Sequence, residues 1–93
     1  MTTFAVRLVF DRDNSARLEV RPKHRDYLTT LAADGRLRLA GPYADDEGAL
    51  LIYDVADRPA LDAVLAADPY FDRPEPVATV AEIREWKLLP LGS

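Results

Sequence analysis

FAVRLVF, residues 4–10, is the stretch on which the fold turns. In an extended chain Phe4, Val6, Leu8 and Phe10 point one way and Ala5, Arg7 and Val9 the other, because strand side chains alternate between faces. Both sets are almost wholly apolar, so the pattern predicts a central strand buried on two sides. ALLIYDV, residues 49–55, has the same character, apolar on both faces from Leu50 to Tyr53.

Between these two strands, Val20, His24, Tyr27, Leu28 and Leu31 repeat at helical spacing and predict a helix over 20–34. Pro22 suits its first turn and Gly35 its stop. RLRLAGPYA, residues 36–44, reads as a short strand ending at the structure-breaking Gly41-Pro42 pair, and ADDEG as a turn. DRPALDAVLAAD, residues 57–68, reads as a second helix with Asp57 as N-cap and Leu61, Val64 and Leu65 facing inward. The last strand is expected over Val77 to Leu89, with Val77, Thr79, Ala81 and Ile83 on one face and Ala78, Val80 and Trp86 on the other. The polar segment DRDNSAR, residues 11–17, reads as a loop.

The order is therefore β-α-β-β-α-β. It predicts an α+β, ferredoxin-like sandwich: one domain over residues 1–93, with both helices on one face of a four-stranded antiparallel sheet. Helices cover one face only, yet the strands are apolar on both. A homodimer through the open sheet face is the simplest way to bury the second.

The composition narrows function by exclusion. The 93 residues are 48% hydrophobic and 30% charged, with net charge −4 and a pI near 4.8. With no basic block or stripe, nucleic acid is not an expected partner. There is no cysteine and a single histidine, so no metal site is expected. No glycine-rich phosphate loop or serine nucleophile motif occurs, and no cofactor is expected. No stretch reaches the roughly 20 apolar residues of a membrane span. MTTFAVRLVFDRD lacks a basic start followed by a long apolar run, so the expected location is cytoplasmic.

Tracing the chain up and down the predicted sheet brings four separated segments to one end. They are Asp11 after the first strand, Arg21 and His24 at the helix start, Gly41, Pro42 and Tyr43 after the second strand, and Asp68-Pro69-Tyr70 after the second helix. Asp34, at the far end of the first helix, lies away from them. His24 falls on the stripe facing the sheet, where the two layers splay into a cleft. A neighbouring carboxylate, from Asp68 or Asp11, fixes its tautomer, and such a pair is a usual general acid or base. Arg21 is placed to attract an anionic substrate. Gly41 and Pro42 shape the cleft wall, Tyr43 and Tyr70 line it, and Trp86 anchors the core or the dimer interface.

RPKHRDYLTTLAADGRLRLAGPY (21–43), ADPYF (67–71) and the closing EIREWKLL (82–89) together resemble the YCII-related (YciI-like) family over nearly the whole chain. The resemblance implies a dimeric α/β barrel, two ferredoxin-like subunits with sheets packed face to face, and a His/Asp active-site pair. His24 and Asp68 stand at the matching positions, and Asp11 matches the aspartate that follows the first strand in many members. The short YADDEG turn replaces longer loops found in other members. Relatives of this kind occur in the degradation of chlorinated aromatics. The implied function is isomerase- or lyase-like proton transfer, without a cofactor, on a small organic, often phenolic or enol-type, molecule. The alternative is a dimer that binds a small molecule without catalysis; turnover separates the two.

Overall fold

The computed structural model describes residues 1–11 and 15–91. Its elements follow the expected order: β1 (Thr2–Phe10), α1 (Ser15–Ala33), β2 (Leu37–Pro42), β3 (Gly48–Val55), α2 (Arg58–Ala66) and β4 (Ala78–Glu85). The strands form one antiparallel sheet in the order β2-β3-β1-β4, so the two strands with apolar residues on both faces are central. Phe4, Val6 and Leu8 stand opposite Tyr53, Leu51 and Ala49, and this face packs against Leu31 of α1 and Leu61, Val64 and Leu65 of α2. Sixteen apolar side chains make up that buried cluster, the main stabilising term for so short a chain.

Two local readings change. Helix α1 begins at Ser15, not Val20. Arg17 continues the inward stripe one turn ahead of Val20 and His24 and is buried, so the helix gains by extending through it. Pro22 is therefore interior, and His24 sits mid-helix. Proline has no N–H to give the Leu18 carbonyl, but Leu18 and Pro22 are both exposed, where water satisfies that carbonyl. Of the loop read over 11–17, residues 12–14 lie outside the described residues and Ser15 to Arg17 are helical.

The last strand is also shorter than expected, ending at Glu85, and it carries a bulge. Leu8 pairs with Val80 and Arg7 with Glu82, so Ala81 is the extra residue and the alternation of faces reverses there. Ala78, Val80 and Ile83 consequently share the helix-covered face, while Thr79 turns to the other. Residues 86–91 continue beyond the strand with Trp86, Leu88, Leu89 and Leu91 exposed.

Helix boundaries follow local chemistry. Gly35 takes φ 85°, a left-handed conformation that favours glycine, and ends α1. The Asp57 carboxylate accepts from the Ala60 N–H at 2.9 Å and starts α2, with Pro59 in the first turn. Gly48 is required by a close approach, because a Cβ there would overlap the Leu8 carbonyl oxygen on the neighbouring strand.

Candidate active site

Past the end of α2 the chain makes a tight turn at Asp68-Pro69-Tyr70. The Asp68 carbonyl accepts from Phe71 and Asp72 N–H groups, each at 2.8 Å, and the Asp68 side chain lies inside, 1% exposed. A buried carboxylate needs donors to replace water. Three hydrogen-bond geometries supply them: His24 Nδ1 at 2.8 Å from Oδ1 and 3.0 Å from Oδ2, and the Tyr70 N–H at 2.9 Å from Oδ1.

The protonation pattern follows. An ionised carboxylate only accepts, so His24 Nδ1 carries the proton and neutral His24 keeps its lone pair on Nε2. Nε2 makes no hydrogen bond among the described residues, and the imidazole lines a cavity. The ring is fixed by packing as well. It stacks on the Tyr70 ring with centroids 3.7 Å apart and 4° between planes, and Phe10 meets Tyr70 edge-on at 6.0 Å. Burial pushes the Tyr70 phenol above its ordinary value; the hydrogen-bonded Arg17 guanidinium opposes this without reversing it. Tyr70 is thus held neutral. About one turn from His24, the Tyr27 hydroxyl donates to the Val64 carbonyl at 2.6 Å and ties α1 to α2.

The cavity has a volume of about 280 Å³ and opens between α1 and the ends of β2 and β3. Leu28, Leu51, Ala49, Phe10 and Tyr70 make apolar walls, Ala40, Gly41 and Pro42 one rim, and Arg17, Arg21 and Arg25 the other. Asp46, in the turn between β2 and β3, is the single carboxylate on the lining among the described residues, and it binds Arg17 at 2.9 Å. Its backbone is left-handed (φ 58°), a conformation aspartate tolerates better than most residues.

Of the residues singled out from sequence, His24, Asp68, Arg21, Gly41, Pro42 and Tyr70 come together here. Asp11 is exposed at the end of β1 and does not line the cavity; the carboxylate on His24 is Asp68. Tyr43 faces a separate depression with Arg7, Val9 and Asp45. Arg17, Arg25 and Asp46 were missed. The signal was present, since Arg17, Arg21, His24 and Leu28 repeat at helical spacing, but a helix begun at Val20 leaves Arg17 outside it. Among the described residues no three histidine, aspartate or glutamate side chains are grouped to hold a metal ion.

A solved structure of similar fold is the 5-chloro-2-hydroxyhydroquinone dehydrochlorinase (TftG) from Burkholderia phenoliruptrix AC1100, in complex with 2,5-dihydroxybenzoquinone. It superposes with a TM-score of 0.71 over 94% of both chains at 21% sequence identity, a likeness that carries the fold. No curated protein matches the sequence. The profile of the YCII-related domain matches residues 3–87, which take in both helices and all of the sheet except Thr2. On that match, the chain belongs to the YCII-related domain family.

Proposed function

We propose that this protein is a small homodimeric enzyme in which His24, oriented by Asp68, moves a proton on a small organic, ring-containing molecule without a cofactor. The observation that carries the reading is an Nε2 on the cavity with no partner among the described residues, and Nδ1 tied to a buried carboxylate. This arrangement gives the base a defined tautomer, and Asp68 stabilises the imidazolium once the proton is taken. In an isomerase-like step Nε2 removes a proton from one atom of the substrate and returns it to another. In a lyase-like step the pair of electrons left by the proton forms a double bond and expels the leaving group. Arg21 binds the substrate, Tyr70 and the Gly41-Pro42 rim bound it, and the apolar walls favour an aromatic body. A fold neighbour is an enzyme acting on a chlorinated hydroxyhydroquinone, which is chemistry of this class.

The dimer reading rests on the uncovered sheet face. Strand alternation puts Val9 and Leu50 there, and a register shift between Leu37 and Leu39 adds Leu39, with exposures of 40%, 41% and 67% in that order. Apolar residues grouped on one face without helices are what a second copy would bury.

The test is deuterium wash-in from D2O into a panel of phenols and enolisable ketones, followed by NMR. Wild-type protein should catalyse exchange in at least one member, and His24→Gln should slow it by roughly 10² to 10⁴. Exchange undiminished in His24→Gln would refute the base assignment. Saturable binding with no exchange would instead make the protein a carrier.

A further inference from the structure

The charge around the cavity is opposite to that of the protein. The chain carries net −4, yet three of its 12 basic residues, Arg17, Arg21 and Arg25, stand one turn apart along one side of α1 and line the same opening. Among the described residues a single carboxylate, Asp46, faces them, and it is bound to Arg17. Arg21 and Arg25 have no ion-pair partner among the described residues. The field of Arg21 reaches the site, since it acts on the Tyr70 phenol to favour ionisation, alongside Arg17. A cleft with apolar walls and one sign of charge at its mouth concentrates ligands of the other sign.

From this we infer that the cavity takes a compact organic monoanion, an apolar ring bearing a carboxylate or a ring oxyanion, with Arg21 and Arg25 as its charge-recognising residues. The ring lies against Leu28, Leu51 and Tyr70, and the anionic group lies at the guanidinium rim, where planar donor forks match oxyanion geometry. A volume of about 280 Å³ suits a single substituted ring, and the acidic remainder of the surface repels polyanions. The inference deepens the proposed function by naming its substrate class and rests on the same cavity, but it requires binding alone and no proton transfer by His24.

The experiment measures dissociation constants by NMR, following the one imidazole and the Tyr70 ring. Benzoate and 4-nitrophenolate are the two anionic probes; benzamide and 4-nitroanisole are their neutral counterparts. At least one anion should bind, and more tightly than its neutral partner. Arg21→Gln and Arg25→Gln should each weaken that anion by about tenfold, and added salt should weaken it further. Both arginines are on the surface side of α1, and amide spectra confirm that the variants fold. Arg58→Gln, which changes the net charge equally on α2, should leave affinity unchanged. Neutral probes binding as tightly as the anions, arginine variants binding like wild type, or no binding by either anion would overturn the inference. Anion binding retained in a protein that catalyses no exchange would sink the enzyme reading and leave this one standing.

Discussion

Replacing Asp68 tests the centre of the site. Its carboxylate serves two buried donors, His24 Nδ1 at 2.8 Å and Tyr70 N at 2.9 Å, from a position 1% exposed. Asp68→Ala strands both. At about 1 to 3 kcal/mol for each buried unsatisfied donor, the loss is about 2 to 6 kcal/mol. A chain of 93 residues has a total stability of about 5 to 14 kcal/mol, so this variant is expected near its unfolding threshold. Asp68→Asn is gentler, because an oxygen at the Oδ1 position still accepts from both His24 Nδ1 at 2.8 Å and Tyr70 N at 2.9 Å, while the amide replaces only Oδ2, 3.0 Å from Nδ1. The Nδ1–H tautomer is therefore kept, and what the variant removes is the negative charge beside the ring. The expected cost is about 1 kcal/mol, with the Nε2 lone pair still on the cavity and no counter-charge for the imidazolium formed when it takes a proton. Because the protein has one histidine, long-range 1H–15N correlation reads the tautomer without assignment. Urea titrations of the three proteins give the stabilities. An Nε2–H tautomer in the wild type or in Asp68→Asn would refute the reasoning.

Three further outcomes follow from other parts of the molecule. Burial is the leading cause that holds the phenols of Tyr27, Tyr53 and Tyr70 above their ordinary value of 10.0 in the folded state. The unfolded chain therefore releases these protons first, so stability is complete below pH 10 and falls as pH rises above it; urea midpoints across alkaline pH should decline as phenolate absorbance rises. Gly48→Ala should destabilise by about 1 to 3 kcal/mol through overlap with the Leu8 carbonyl, and a denaturant midpoint equal to wild type would contradict that geometry. Leu50→Arg, on the uncovered face and 41% exposed, should yield a folded monomer by sedimentation if that face joins two copies. A wild type that is already monomeric would remove the dimer.

Strand positions were legible because β1 and β3 are apolar at consecutive residues, a pattern that only burial on both faces explains, and both are central. The α2 boundaries were legible because Asp57 and Pro59 act over three or four residues, which is the range of local chemistry. The start of α1 was not, since Pro22 reads as a first-turn residue when seen alone; burial of Arg17 against the core outweighs the hydrogen bond that proline forfeits. The bulge at Ala81 was not legible either. It is a property of the pairing between β1 and β4, and strand alternation within β4 cannot announce it.

The site divides in the same way. The sequence by itself determined that His24 faces inward, that Asp68 ends a helix, and that both reach the same end of the sheet, because periodicity and topology follow from spacing along the chain. Only the tertiary structure decided which carboxylate meets the imidazole, which nitrogen it holds, and that Arg17 and Arg25 share the cavity with Arg21. Those relations depend on distances of a few ångströms between segments far apart in sequence, and packing of α1 and the Asp68 turn against one sheet sets them.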